Sequence, residues 1–148
     1  MQISKTPIDD VYVITPRIFE DSRGYFFESY NQKQFNSVTK LDYNFVQDNY
    51  SMSSKGTLRG IHFQTKPMAQ AKLVQVLEGE IYDIAVDLRR DSDTYCQWIS
   101  VILSSSNHQQ LFIPEGFGHA FLTTSKIARV MYKVNKHYSK QHEKVIRY

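Results

Sequence analysis

The sequence predicts an all-β protein, a sandwich or barrel with one or two short helices. Ten short runs of alternating apolar and polar residues are separated by turn signals, and no helical period is sustained anywhere. Aromatic residues make up 14% of the 148 residues, with ten Tyr and nine Phe spread along the chain. Such side chains fit a pleated, half-buried surface, so they reinforce the alternation. The length suits one domain spanning 1–148, which can bury a contiguous core without staples.

In order, the strand runs fall at 11–15, 24–30, 45–51, 58–64, 71–78, 79–88, 96–103, 109–113, 119–124 and 128–134. Asp21-Ser22-Arg23-Gly24 turns the chain into the second run, and Ser54-Lys55-Gly56 turns it into the fourth. Glu78-Gly79 joins the fifth tightly to the sixth, and residues 104–107 follow the seventh. Between the second and third runs, "NQKQFNSVT" is the best helix candidate: Asn31 can cap the first amides, and Gln34 sits at the capping-box position. In "AKLVQVLEGEIYDIAVDL", the period of two sends Lys72, Val74 and Val76 to one face. If that face is interior, the ammonium must meet a carboxylate or a bound anion, because an unpaired buried charge is expensive. If it faces water, Lys72 is a surface lysine; the pattern leaves both open. "TLRGIHFQ" poses a related question. Leu58, Ile61 and Phe63 suit a buried strand, yet Arg59, His62 and Gln64 are interleaved with them.

Net charge is +3, with Lys and Arg scattered among acidic residues. That is no nucleic-acid signature, and the basic end "KHYSKQHEKVIRY" reads as a solvated carboxyl-terminal face. No apolar run is long enough to cross a bilayer, and "MQISKTPIDD" lacks the apolar centre of a signal peptide. A soluble, cytoplasmic protein is expected, with no membrane partner. The single Cys96 cannot form an internal disulfide, in keeping with a reducing compartment.

"IPEGFGHAF" places His119 after a proline and glycine turn, and resembles the second motif of the cupin superfamily of small β-barrels. Metal cupins also need a first motif with two His and a Glu, whereas here His62-Phe63-Gln64 offers one imidazole and a glutamine. Two histidines with no nearby carboxylate make a poor metal site, so a metal-free centre is expected.

"PRIFEDSRGYFFESYN", "QDNYSMSSKGTLRGIHFQ", "AKLVQVLEGEIYDIAVDLRRDSDTY", "IPEGFGHAF" and "YKVNKHYSKQHE" resemble, in order and spacing, the dTDP-4-dehydrorhamnose 3,5-epimerase family of deoxysugar nucleotide enzymes. The resemblance runs over about residues 16–143 and rests on five separated motifs. It implies a jelly-roll, cupin-like β-barrel, a homodimer that exchanges amino-terminal strands, and no metal or organic cofactor. It further implies a nucleotide-diphosphate sugar as substrate. By the same resemblance His62 matches the general base, Tyr132 the proton donor and Lys72 the residue at the ketone oxygen, with Tyr138 a substitute donor. Arg23 and Glu28 match nucleotide contacts supplied by the neighbouring subunit. Gln47, Asn49, Arg59, His119 and Glu143 match further substrate contacts, and Phe19 and Phe26 match aromatic residues near the base.

The chemistry explains these residue types. In a 4-keto sugar the hydrogens at C3 and C5 are both adjacent to a carbonyl, so removing either gives an enolate. A base is needed on one ring face and an acid on the other, because a proton returned to the face it left changes nothing. Histidine titrates near working pH, tyrosine stays protonated there, and a cation beside O4 stabilises the growing oxyanion. Guanidinium forks such as Arg23 and Arg59 suit a diphosphate. For Arg59 and His62 to act together the strand must deviate, since residues three apart on a regular strand point to opposite faces; Gly60 permits the bulge.

Two rivals share these features: an epimerase inverting only C3 or only C5 or acting on another nucleotide sugar, and a silent cupin that binds a nucleotide sugar. The resemblance also implies a further carboxyl-terminal segment, with a lysine contact and an aspartate paired to the base histidine, whereas this sequence stops at Tyr148. The expectation is slow or single-carbon epimerisation unless another carboxylate serves; Asp83 is the candidate, or else it is the partner of Lys72.

Overall fold

The computed structural model describes residues 1–147. Among them are thirteen strands and one helix: β1 (Gln2–Lys5), β2 (Tyr12–Thr15), β3 (Phe19–Asp21), β4 (Gly24–Phe26), α1 (Gln32–Thr39), β5 (Gln47–Ser54), β6 (Leu58–Gln64), β7 (Lys72–Glu78), β8 (Glu80–Asp87), β9 (Trp98–Ser104), β10 (Gln110–Ile113), β11 (Phe117–Thr123), β12 (Ile127–Val134) and β13 (Glu143–Val145). Every strand run read from the sequence coincides with a strand, although the run at 24–30 is extended only as far as Phe26. The strands not foreseen, β1, β3 and β13, have three or four residues each. Alternation cannot be recognised over so short a span.

Six strands pair in the order β1-β2-β10-β7-β12-β5, five in the order β13-β6-β11-β8-β9, and β3 with β4 forms a separate hairpin. All the pairings are antiparallel, as in a jelly-roll of the cupin-like kind. The core lies between the two large sheets. Val74, Leu111 and Val130 from one meet Ile81, Leu103 and Phe121 from the other. On β8 the alternation is plain: Ile81, Asp83, Ala85 and Asp87 are buried, whereas the residues between them are not.

Lys72, left open by the sequence, is interior at 7% exposure. It lies on the same inner face as Val74 and Val76, while Leu73 faces the other way into a second cluster with Ile14, Phe35 and Phe112. Phe35 belongs to α1, so the helix covers the outside of the six-stranded sheet and buries β7 on both faces. Asn31 caps α1 by accepting from the Gln34 amide at 3.1 Å. Gln34 does not close the expected capping box, however; its side-chain amide donates to Glu28 at 2.8 Å.

The basic end is not simply a solvated face. β13 adds to the edge of the five-stranded sheet, with Glu143 opposite Gln64 and Val145 opposite His62. No helix among the described residues is long and apolar enough to cross a membrane.

Candidate active site

Between the sheets, where β5 and β7 begin and β12 finishes, lies a cleft of about 390 Å³. The five-stranded sheet brings Arg59 and His62 on β6, His119 on β11 and Glu143 on β13 to its wall. The six-stranded sheet brings Gln47 and Asn49 on β5, Lys72 on β7 and Tyr132 on β12, and the connection from β12 to β13 adds Tyr138. Nine of the thirteen residues singled out in the sequence therefore share one cavity.

The β6 wall depends on Gly60. His119 pairs with His62 and Phe121 with Arg59, so Gly60 and Ile61 together oppose Ala120 alone and the register shifts there. This bulge turns Arg59 and His62 toward the same cleft. Gly60 has φ +116, and a Cβ on it would meet the His119 carbonyl oxygen and come within 2.7 Å of Ala120. A residue without a side chain is required on both counts.

Lys72 is the buried cation. Burial draws its ammonium down from 10.5 to about 8, while the negative charges of Asp83 and Glu143 oppose the fall. Its Nζ lies 5.7 Å from the centre of the Tyr132 ring. His119 Nε2 is 2.7 Å from Asp83 Oδ1, and both side chains are buried. Asp83 is therefore not the carboxylate of His62. Asp83 stands opposite Phe121 and Ala85 opposite His119, which makes Asp83 and His119 diagonal neighbours on adjacent strands, with β6 one strand farther away.

At His62 the neighbouring carboxylate is Glu143, with Oε1 3.8 Å from Nδ1. Tyr138 donates its hydroxyl to the other carboxylate oxygen, Oε2, at 2.9 Å. Partial burial holds the imidazole below its ordinary 6.5, the Lys72 charge pushes the same way, Glu143 opposes it, and His119 and Arg59 add to the depression. A neutral ring ready to accept a proton is the result. Burial raises the Tyr132 phenol above 10, with Arg59 opposing and Glu143 assisting, so this hydroxyl keeps its proton. Arg59 is held by Nε donation to Ser53 at 2.8 Å and Nη2 donation to the Met52 carbonyl at 3.3 Å.

The Tyr138 segment is pinned from two sides. Gln47 donates to Asn49 at 2.8 Å and accepts from the Tyr138 amide at 3.0 Å. Gln64 donates to the carbonyls of Met68 and His137 and accepts from the Ser139 amide at 2.7 Å. Gln64 was not singled out as a site residue, although its place two residues after His62 put it on the same face. Gln70, which also lines the cleft, comes from a loop with no periodicity to reveal it.

Four expected residues lie elsewhere. Phe19, Arg23 and Phe26 belong to the β3–β4 hairpin and line a separate groove. Arg23 is engaged by Asp21 at 2.6 Å. Glu28 accepts from Asn31 and Gln34 beside the start of α1. Among the described residues, no three of His, Cys, Asp or Glu are grouped so as to hold a metal ion.

The arrangement sets a neutral imidazole on one sheet against a protonated phenol on the other, with a buried cation alongside. It can remove a proton from one face of a substrate and return one to the other.

The family model described as dTDP-4-dehydrorhamnose 3,5-epimerase matches residues 5–148. A protein of that name from Shigella flexneri is 49% identical over 146 residues, covering 99% of this chain and 81% of its own. The crystal structure of a dTDP-4-dehydrorhamnose 3,5-epimerase from Elizabethkingia anophelis superposes with a TM-score of 0.96 at 47% identity, covering 100% of this chain and 81% of that one. The dTDP-6-deoxy-D-glucose-3,5-epimerase of Legionella pneumophila, solved in complex with dTDP-4-keto-L-rhamnose, gives 0.96 at 44% identity, with coverages of 99% and 78%.

Proposed function

The chain belongs to the dTDP-4-dehydrorhamnose 3,5-epimerase family, and on that premise we propose how its cleft carries out the reaction. The protein is an isomerase that inverts C3 and C5 of a dTDP-linked 4-keto-6-deoxy sugar. His62 takes the proton from the carbon next to the ketone, and the C–H electron pair moves into an enolate with its charge on O4. Lys72, whose ammonium is buried beside Tyr132, stabilises that oxygen. Tyr132 then protonates the carbon from the opposite side; His62 releases its proton to solvent, and Tyr132 regains one. The same cycle serves both carbons, since each is adjacent to C4.

The observation that carries this reading is the origin of the two groups on opposing sheets: His62 on β6 and Tyr132 on β12 enter one cleft from its two sides. Arg59 serves the diphosphate, and Gln47, Asn49 and His119 hold the rest of the substrate. The active form is a homodimer in which the β3–β4 hairpin of each subunit serves the neighbour's cleft through Arg23, with Glu28 close behind. In support, all six residues of β3 and β4 are exposed, and Phe19 and Phe26 leave 50% and 66% of their surface uncovered. Uncovered aromatic surface of this kind marks an interface. A cytoplasmic location accompanies the reading, in keeping with an unpaired Cys96.

The test is NMR of dTDP-4-keto-6-deoxyglucose incubated with the protein in deuterated water. Deuterium at both C3 and C5 with inversion at both is expected. No incorporation, or incorporation at one carbon only, would refute the reading.

A further inference from the structure

Arg23 can serve a neighbouring cleft only if the hairpin that bears it leaves the barrel in a fixed direction. β3 and β4 pair with each other and, among the described residues, with no further strand, so no sheet sets that direction. The hold on the hairpin is at its base. Tyr25 and Phe27 lie two residues apart at the end of β4, and their rings stack with centres 6.1 Å apart at 16°. The imidazole of His108 packs against both, tilted, at 4.8 Å from Tyr25 and 5.2 Å from Phe27. Phe26, between them in sequence, turns the other way and stays exposed.

His108 belongs to the connection from β9 to β10, and that connection is braced from within. Asn107 Oδ1 accepts from the amides of Ser104 and Gln109 at 3.1 and 3.0 Å, and its Nδ2 donates to the Ile102 carbonyl at 2.9 Å. The His108 amide donates to the Ser104 carbonyl at 3.2 Å. His108 itself has φ 54, in the left-handed region that a residue with a Cβ enters only at a cost. Such a conformation persists where the surroundings over-determine it, and here it fixes where the ring points. Two residues on, the buried side chain of Gln110 donates through Nε2 to the Ser29 carbonyl at 2.7 Å. One short stretch of chain thus grips the hairpin base at Tyr25, Phe27 and Ser29.

We propose that His108 is a positioning residue of the shared site: its clasp on Tyr25 and Phe27 sets the angle at which the β3–β4 hairpin projects, and so delivers Arg23 to the cleft of the neighbouring subunit. This rests on the shared-site reading given above. His108 lines neither the cleft nor the hairpin groove, so it acts through the hairpin and not on the sugar nucleotide. Without the ring, the remaining anchors are the Ser29 carbonyl and the bonds that Glu28 accepts from Asn31 and Gln34. Both lie on the barrel side of Phe27, which leaves the hairpin free to swing about its base.

The test uses His108→Asn in the full chain, because asparagine tolerates the left-handed backbone while removing the ring. Amide hydrogen exchange over residues 19–26 should rise about tenfold in the variant. Mixed dimers with His62→Ala, isolated through two different tags, then hold one competent cleft, whose Arg23 comes from the His62→Ala chain. His108→Asn placed on that chain should raise KM about tenfold with kcat changed less than about threefold. Placed on the chain with intact His62, it should leave KM at the wild-type value. Unchanged exchange overturns the clasp. A KM that rises with the substitution on the chain with intact His62 also overturns it, since His108 would then act on its own cleft, and so does a KM unmoved by either placement. If mixed dimers of Arg23→Ala and His62→Ala recover no activity, the shared-site reading falls and the delivery of Arg23 with it, while the exchange measurement still decides whether His108 holds the hairpin.

Discussion

Lys72 carries the sharpest conflict between folding and function. Its descent from 10.5 to about 8 corresponds to a penalty of roughly 3 kcal/mol on the protonated form. The unfolded chain binds the proton more tightly, so the penalty is full below about pH 8 and disappears as pH rises toward 10.5. Lys72→Met should therefore raise Tm at pH 7, with the advantage narrowing at higher pH, while kcat/KM falls by about 10²- to 10³-fold. A Tm below wild type at pH 7 would contradict this account. In the wild type, kcat/KM should follow a bell with its acid limb below the ordinary 6.5 of histidine and its basic limb near 8. The two tyrosines divide in the same way. Tyr132 is partly buried and its phenol is raised above 10, so it keeps its proton, whereas the Tyr138 hydroxyl is already donated to Glu143. Tyr132→Phe should still admit deuterium into the sugar yet lose inverted product. Normal inversion in that variant, with failure in Tyr138→Phe, would exchange the two roles.

At the level of elements, β6 is where sequence and geometry meet. Arg59 and His62 both reach the cleft because Gly60 and Ile61 oppose one residue of β11. Gly60→Ala would force a Cβ against the backbone of His119 and Ala120 at a φ that L-residues avoid. The variant should lose roughly 2–4 kcal/mol of stability, read as a fall in Tm of about 5–10 °C, and most of its activity. An unchanged Tm would mean that the bulge relaxes freely. β13 contributes at the same scale. Three residues, Glu143–Val145, form its ladder with β6, and that pairing carries Glu143 beside His62.

For the whole molecule, the hairpin bearing Arg23 lies outside its own cleft, which is where a shared site makes a distinctive prediction. Arg23→Ala and His62→Ala should each be nearly inactive alone. Mixed dimers of the two would hold one intact site, in which Arg23 of one subunit meets His62 of the other. After subunits are dissociated and reassociated at equal amounts, roughly a quarter of wild-type turnover should return. No recovery, with mixed dimers verified by mass, would confine each site to a single chain.

The sequence by itself marked out most of the strands along the chain and named most of the residues that come to line the cleft. Alternation marks β8 because only one of its faces is buried, and His62, Lys72, His119 and Tyr132 are polar side chains within strand runs rich in apolar residues. It also pointed to Gly60 as the place where β6 could bulge if Arg59 and His62 were to act together. Pattern alone could not settle whether Lys72 faced the core or water, because period two identifies which residues share a face but not what that face meets. Nor could it pair the carboxylates. Asp83 and Glu143 are separated in sequence from both histidines, and the order of strands across the sheet gives Asp83 to His119 and sets Glu143 beside His62. That choice is made by register between distant segments, which no local composition records.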